Sequence, residues 1–242
     1  MESIGVIPAR FESKRLPGKP LLDICGKPMI QHVYEEARKA RLLEDVIVAT
    51  DDERIVKAVQ SFGGHVVLTS KDHKSGSDRI AEVVSNMTCR VIVNIQGDEP
   101  MIRHQMLDDL VQPFLKDRGV DMATLCHRIH DNSEINNPNV VKVVMGNDGN
   151  ALYFSRSPIP WADGLHCCYK HIGVYAYTKD FLLIWTNLTQ SPLEKAERLE
   201  QLRVLENGYR IKVIETGFDT VSVDTEEDLK KMREILCQNI SL

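Results

Sequence analysis

Three cationic side chains stand close together in a loop that follows the first apolar run, residues 4–9. They are Arg10, Arg15 and Lys19, and Gly18 lies among them. A glycine-containing loop after a strand lets backbone N–H groups approach a phosphate, while nearby cations neutralise its charge. Neither the Walker A spacing nor the Rossmann glycine fingerprint is present. The loop therefore predicts an unconventional phosphate-binding segment, and a solvated basic loop is the alternative.

Two carboxylates occupy positions that could hold a divalent cation. Asp98 follows the strongly apolar run 91–95, and Asp224 stands in a Val-Asp-Thr sequence before a glutamate-rich segment. Mg²⁺ prefers oxygen ligands and combines one or two carboxylates with phosphate oxygens. The pattern predicts a Mg²⁺ site. As alternatives, Asp98 is a simple turn carboxylate and Asp224 belongs to an ordinary helix start.

A third segment, residues 73–79, contains small polar residues between an expected strand and an expected helix. Gly76 and Ser77 leave room there for the edge of a nucleotide base, which backbone groups can recognise. An ordinary serine helix cap is the alternative.

Apolar runs that alternate with amphipathic segments must position these residues. The pattern predicts strands at 4–9, 46–50, 65–69 and 91–95, and helices at 28–42, 52–62 and 77–85. This alternation is typical of a doubly wound, mostly parallel α/β sheet. Ligands bind at the carboxyl ends of such strands, so the candidate residues should line one crevice.

The pattern changes after residue 120 and predicts a smaller β-rich subdomain. Strands are expected at 122–126, 140–145, 151–155, 172–177, 211–215 and 221–223, with helices at 193–206 and from 226 onward. No linker separates the halves. We therefore expect a single domain over 1–242, with a nucleotide-binding half at about 1–120 and a second half at 121–242.

Composition excludes several classes of protein. The net charge is −5, which argues against nucleic-acid binding. No apolar run approaches the length of a membrane helix or of a signal-peptide core, so a cytoplasmic location is expected. The six cysteines lack paired spacing and are expected to be reduced thiols. A zinc site at Cys167 and Cys168 with His166 and His171 is a weaker alternative.

The motifs together resemble the 3-deoxy-manno-octulosonate cytidylyltransferase family, also called CMP-Kdo synthetases. The resemblance covers nearly the whole chain. Its motifs are IPAR at 7–10, RLPGKP at 15–20, ATD at 49–51, DHKSGSDR at 72–79, NIQGDEPM at 94–101, YFSRSPIP at 153–160, YKHIGVYAY at 169–177, LEQLR at 199–203 and VDT at 223–225. The family commonly has glycine before VDT, whereas this chain has Ser222. No family pattern is evident around 162–169.

The resemblance implies a fold of the nucleotide-diphospho-sugar transferase type and a Mg²⁺-dependent reaction. CMP passes from CTP to 3-deoxy-D-manno-octulosonate (Kdo) and diphosphate is released, for lipopolysaccharide synthesis. We expect in-line displacement at the α-phosphate with two metal ions. The implied nucleotide contacts are Pro8, Ala9, Arg10, Arg15, Lys19, His73, Gly76, Ser77 and Arg79. The implied sugar contacts are Gln96, Arg156, His171, Glu200 and Gln201. The implied metal ligands are Asp98 and Asp224, and the implied catalytic residues are these two with Lys19 and Arg10.

Several alternatives stay open. The sugar could be 8-amino-Kdo or an N-acylneuraminate, because the nucleotide half would look similar. A nucleotide-binding regulator without catalysis is a second class, against which the two carboxylates argue. A purely structural module is the third. The resemblance also implies a homodimer.

Overall fold

The structure is a computed structural model that describes residues 2–12, 16–73, 75–161 and 167–238. Its strands are β1 (Ser3–Ala9), β2 (Asp23–Ile24), β3 (Lys27–Pro28), β4 (Asp45–Thr50), β5 (His65–Leu68), β6 (Val91–Asn94), β7 (Met122–Arg128), β8 (Lys142–Met145), β9 (Ala151–Ser155), β10 (Tyr169–Thr178) and β11 (Lys212–Glu215). Its α-helices are α1 (Met29–Ala37), α2 (Glu53–Ser61), α3 (Gly76–Val84), α4 (His104–Lys116), α5 (Asn132–Asn136), α6 (Lys179–Asn187), α7 (Pro192–Glu197), α8 (Leu202–Glu206) and α9 (Glu226–Gln238). One 3₁₀ turn spans Lys19–Leu21.

The chain divides into two compact units, Met1–Asp108 with Thr220–Leu242, and Asp109–Asp219. In the first unit, β1 pairs in parallel with β4 and β6, and β4 pairs in parallel with β5. Strands β1 and β6 are almost wholly buried, as expected for a parallel sheet covered by helices. The predicted α/β class with a mostly parallel sheet is confirmed.

The second unit is built around antiparallel strands. Strand β10 pairs with β7 and β8, and β8 pairs with β9, while β11 lies parallel to β7. A register shift interrupts the β10–β7 ladder between Ile172 and Tyr175. The β-rich character predicted after residue 120 is thus present. The functional division at that residue stays a prediction.

Three predicted elements differ from the structure. The helix predicted at 28–42 ends at Ala37. Residues 221–223 form no strand, because Val223 donates its N–H to the turn after β6 rather than to a ladder. The predicted helix 193–206 is interrupted: α7 ends at Arg198, whose φ is 55°. Arg203 then turns back and binds both carboxylate oxygens of Glu194, at 2.5 and 2.7 Å. This ion pair joins α7 to α8. In one continuous helix, residues 194 and 203 would be more than two turns apart and could not touch.

The expectation of six reduced cysteines is wrong for two of them. Cys25, in the turn between β2 and β3, forms a disulfide with Cys237 near the end of α9. The pairing follows from packing, because Leu229 and Met232 of α9 share a buried cluster with Ile24. The other described cysteines, Cys89, Cys126, Cys167 and Cys168, form no disulfide within the described residues.

None of the helices in the described part of the chain combines the length and the apolar character needed to cross a lipid bilayer.

Candidate active site

A cavity of about 220 Å³ lies beside the ends of β1 and β4. Its lining includes Arg10, Asp51 and Lys71, together with His73 from the loop after β5. The Arg10 guanidinium donates a hydrogen bond to the backbone oxygen of His73 at 2.8 Å, which joins the loops after β1 and β5. Two of the predicted nucleotide contacts therefore share one charged cavity. Arg15, another of them, lies outside the described residues.

The first turn of α3 approaches the end of β1 closely. Ser75 and Asp78 form a reciprocal capping box at this helix start. A Cβ added to Gly76 would lie 3.3 Å from Cγ of Pro8, so a larger residue would push α3 away from the strand. The predicted contacts Pro8 and Gly76 thus meet, with the buried Ser77 beside them on α3.

Arg79 supports the start of α3 from inside the protein. Its side chain is fully buried and donates to Asp51 Oδ2 at 2.7 Å and to the Thr69 hydroxyl. These bonds tie α3 to the ends of β4 and β5. The direct nucleotide contact by Arg79 that the resemblance implies stays a prediction. The geometry places its guanidinium behind Asp51, a cavity residue for which the sequence analysis assigned no role.

Lys19 joins the two predicted metal ligands. Its ammonium lies 2.5 Å from Asp98 Oδ2 and 3.1 Å from Asp224 Oδ1. Burial by itself would lower the pKa of Lys19, but the two carboxylates outweigh that effect and raise the pKa above its usual value. Lys19 is therefore cationic at neutral pH. Its ammonium lies between the carboxylates of the two aspartates.

Local structure explains how these three residues meet. The 3₁₀ turn begins at Lys19 after Gly18, whose φ is 68° and whose N–H binds the Phe11 oxygen at 2.9 Å. Asp98 lies in the turn after β6, and its backbone oxygen accepts a hydrogen bond from Val223 N at 2.9 Å. This bond holds Val223 against the turn after β6, so the next residue, Asp224, lies near the end of that strand. Ser222 can replace the glycine that the family has there, because its backbone does not need a positive φ. Among the described non-glycine residues, only Cys25 and Arg198 have a positive φ.

The residues present fit Mg²⁺ by their donor chemistry. Asp98 and Asp224 supply carboxylate oxygens that already share one cation, the Lys19 ammonium. Within the described ranges, no group of three or more His, Cys, Asp or Glu residues could hold a metal. Mg²⁺ suits a site with one or two carboxylates, because it keeps waters and takes further oxygens from substrate phosphates.

Glu99 was missed by the sequence analysis, although it directly follows Asp98. Burial, reinforced by the charge of Asp98, raises the pKa of Glu99 to about 8, while a hydrogen bond with Thr220 opposes the rise. The only sequence signal was its place in the NIQGDEPM motif. Gln96 precedes it in the same turn, and the Gln96 oxygen accepts the Glu99 N–H at 3.3 Å.

In the second unit, Arg156 is held firmly. Its Nε donates to the backbone oxygen of Glu197 at 2.7 Å, and its Nη1 donates to the backbone oxygen of Pro138 at 2.9 Å. Lys142 is fully buried and binds the Arg156 oxygen at 2.7 Å. Glu197, which the sequence analysis left as an ordinary helix residue, thus orients a predicted sugar contact.

The other predicted sugar contacts of this unit differ in environment. His171 packs edge-on against Phe154, and burial lowers its pKa to about 3. The imidazole is therefore neutral at pH 7 and can act there only as a hydrogen-bonding group. Gln201 is buried, and within the described residues its Nε2 has no hydrogen-bond partner. Glu200 is exposed.

Comparison with known proteins places the chain in a class. Residues 4–213 match the family model described as Cytidylyltransferase. A solved cytidylyltransferase from Leptospira borgpetersenii has a TM-score of 0.64 at 18% identity, covering 100% of this chain and 96% of that one. At that identity the likeness shows the fold alone. The family match, over most of the chain, makes it a member of the cytidylyltransferases.

Two nearer relatives narrow the class. A 3-deoxy-manno-octulosonate cytidylyltransferase from Geobacter metallireducens is 51% identical over an alignment 249 positions long, which covers 98% of each chain. A structure of CMP:2-keto-3-deoxy-manno-octonic acid synthetase complexed with CTP has a TM-score of 0.94 at 46% identity, covering 99% of this chain and 100% of that one. The chain belongs to the 3-deoxy-manno-octulosonate cytidylyltransferase family.

Proposed function

We propose that this chain transfers CMP from CTP to the anomeric hydroxyl of Kdo and releases diphosphate. The observation that carries the proposal is the pair Asp98 and Asp224, held together by Lys19 at the end of a parallel strand. Family membership and the CTP complex of a 46% identical relative support the two substrates.

The residues of this chain have distinct roles in the proposed reaction. The C2 hydroxyl of Kdo gives its proton to solvent and its oxygen attacks the α-phosphorus of CTP. The bond from that phosphorus to the bridging oxygen breaks, and the electron pair leaves with the diphosphate. Asp98 and Asp224 would hold Mg²⁺, which when bound neutralises phosphate charge and lowers the pKa of the attacking hydroxyl. Lys19 and Arg10 bind phosphate oxygens and stabilise the charge that develops on them.

The other residues that the family resemblance assigns to substrate binding keep those roles in the proposed reaction. The remaining residues assigned to the nucleotide are Pro8, Ala9, Arg15, His73, Gly76 and Ser77. Arg79, which the resemblance also assigns to the nucleotide, supports the cavity through its bond to Asp51. Arg156 is the charged group assigned to the sugar carboxylate, because His171 is neutral at pH 7. Gln201 offers a buried amide nitrogen without a partner in the described part of the chain, which suits a sugar hydroxyl. Gln96 and Glu200 complete the assigned sugar contacts.

The test measures diphosphate release from CTP and Mg²⁺ with Kdo, 8-amino-Kdo and N-acetylneuraminate in parallel. We expect release with Kdo. Asp98→Asn should lower the rate by at least about 100-fold, because the variant loses one of two cation-binding carboxylates. Asp180→Asn, a change of the same chemistry at an exposed position on α6, should stay within about twofold of wild type.

Each other outcome has a defined meaning. Release only with another sugar would overturn the assignment to Kdo. Silence with all three sugars, in protein that binds CTP, would favour the regulator without catalysis. Near-normal turnover by Asp98→Asn would overturn the metal assignment.

The remaining expectations are proposals that rest on family membership. They are a role in lipopolysaccharide synthesis, a cytoplasmic location, a homodimer and the action of residues 1–242 as one catalytic domain.

A further inference from the structure

The imidazole ring of His73 is held by a glutamate to which the proposed reaction gives no role. Glu82 lies near the end of α3, and its Oε2 is hydrogen-bonded to Nε2 of the His73 ring. The same Oε2 accepts a hydrogen bond from the backbone N–H of Ser70 at 3.0 Å. The Glu82 side chain therefore joins α3 to two residues of the loop that follows β5, and one of these residues lines the cavity.

The charge of Glu82 determines which ring nitrogen of His73 carries a proton. The hydrogen bond with His73 lowers the pKa of Glu82 below its usual value, and the bond from Ser70 N acts in the same direction, whereas desolvation opposes them. Glu82 is therefore ionised at neutral pH. An ionised carboxylate has no proton to donate and can only accept hydrogen bonds. The nitrogen that faces it, Nε2, must be the protonated one.

This tautomer leaves the second ring nitrogen of His73 as an acceptor. A neutral imidazole carries a single proton, so Nδ1 keeps its lone pair when Nε2 is protonated. Within the described part of the chain, His73 makes one other hydrogen bond, in which its backbone oxygen accepts from Arg10 at 2.8 Å. Nδ1 is therefore the polar atom of the ring that remains for a ligand in the cavity.

An acceptor at this position distinguishes between the two pyrimidine bases. Cytosine carries an amino group at C4, which donates hydrogen bonds, whereas uracil carries a carbonyl oxygen there, which only accepts them. Opposite Nδ1, the amino group gains a hydrogen bond, but the carbonyl oxygen meets a second lone pair. A site that is built to bind one polar group rejects an analogue that lacks it, because its own polar atoms are then left unpaired.

We propose that Glu82 is a positioning residue for base selection: it holds the His73 ring in the Nε2–H tautomer, so that Nδ1 accepts the amino group of cytosine and disfavours uracil. The inference rests on the proposed function for the placement of the base at residues 73–79, but it is independent of the sugar. Among the described residues, Glu82 is the one that hydrogen-bonds to a ring nitrogen of His73, so the tautomer depends on it.

The first arm of the experiment observes the tautomer directly. Nitrogen-15 NMR of the full chain without nucleotide, at about pH 8, reports which imidazole nitrogen carries the proton, because an ordinary imidazole is neutral there. The spectrum of His73→Gln identifies the His73 signals among those of the eight histidines. We expect the Nε2–H tautomer in wild type and a mixture of both tautomers in Glu82→Leu.

The second arm measures the affinities for CTP and UTP by calorimetry, with Mg²⁺ and without sugar. Wild type should bind CTP more tightly than UTP. Glu82→Leu should reduce the ratio of the two affinities at least about fivefold, because one hydrogen bond no longer discriminates between the bases. Glu82→Gln keeps an oxygen that accepts from Nε2–H, so its ratio should stay within about threefold of wild type. Glu234→Leu makes the matched change at an exposed position on α9 and should leave the ratio unchanged.

Several results would overturn the inference. Equal losses of CTP and UTP affinity in Glu82→Leu would mean that Glu82 serves only the structure of the loop. A ratio as low in Glu82→Gln as in Glu82→Leu would mean that charge, and not an acceptor oxygen, is needed. Thermal unfolding checks each variant, and if Glu82→Leu does not fold, wild type decides: a proton on Nδ1, or equal affinity for the two nucleotides, refutes the inference. Failure of turnover with Kdo, with these binding results intact, would refute the proposed function only.

Discussion

Replacement of Lys19 by methionine should affect cation binding and turnover in opposite directions. Lys19→Met keeps the length of the side chain and removes the ammonium that touches Asp98 and Asp224. A divalent cation that binds these carboxylates must compete with that ammonium. The variant should therefore bind Mn²⁺ more tightly in the absence of CTP, although it loses a positive charge needed for phosphate transfer.

The magnitude follows from the two contacts. A hydrogen bond to a charged group contributes about 1.5–3 kcal/mol. The 2.5 Å bond to Asp98 joins side chains that are 15% and 29% exposed, so it falls in this range. The 3.1 Å bond reaches a carboxylate that is 37% exposed and is screened more strongly. The Lys19 ammonium therefore stabilises the cation-free site by about 2 kcal/mol, and a bound Mn²⁺ must replace it. Without the ammonium, Mn²⁺ should bind roughly 10–30-fold more tightly.

Turnover should fall by about 10²–10³-fold, the usual effect of removing one group that stabilises charge in the transition state. Mn²⁺ affinity is measured by titration without nucleotide, and turnover by diphosphate release. Lys27→Met is the matched control, because Lys27 forms an exposed ion pair with Glu35 on the surface. It should leave both quantities within about twofold of wild type.

Weaker Mn²⁺ binding in Lys19→Met would refute the reasoning, because the ammonium would then assist the cation rather than compete with it. Turnover close to that of Lys27→Met would refute the role of Lys19 at the phosphates.

Three further predictions concern stability. Lys142→Met removes a buried ammonium that donates to three backbone oxygens, one of them on Arg156, and should destabilise the chain by about 3 kcal/mol or more in urea unfolding. A loss below about 1 kcal/mol would contradict this. Cys25→Ser, which breaks the bond to Cys237, should cost about 2–4 kcal/mol. A melting temperature equal to that of the oxidised wild type would contradict this prediction. Burial lowers the pKa of His171 from 6.5 to about 3, so below pH 6.5 the unfolded chain takes up a proton that the folded chain does not. Stability should therefore fall as pH drops from 6.5 toward 3, by about 1 kcal/mol at pH 5.5. His171→Gln should flatten this part of the unfolding profile, and parallel profiles for variant and wild type would refute the assignment.

Short-range sequence patterns were sufficient to predict the strands of the parallel sheet. Strands β1, β4 and β6 lie where apolar runs predict them, because a strand buried on both faces needs apolar residues on both sides of its backbone. Strand β5 also lies where it was predicted, although it is the half-exposed edge strand of the sheet. Helices α2 and α3 follow from their helical spacing and caps. Asp98 could be identified as a candidate ligand because it lies in the turn after a parallel strand, at the edge of the sheet where ligands bind.

Other elements could not be read from local pattern. Helices α4 and α6 received no prediction, and α4 contains Pro113, which a helical interior usually excludes. The break between α7 and α8 depends on the left-handed backbone at Arg198, a conformation that the arginine side chain does not signal.

The meeting of Lys19, Asp98 and Asp224 was decided by tertiary structure. Residue types and strand ends indicated each of them separately, and the family resemblance named their roles. Their separation in space depends on the bond from Val223 to the turn after β6 and on the packing of α9 against the segment that carries Lys19. The same packing pairs Cys25 with Cys237 across 212 residues. Local spacing determines only which face of an element is apolar, whereas distances between remote side chains depend on how those faces pack together.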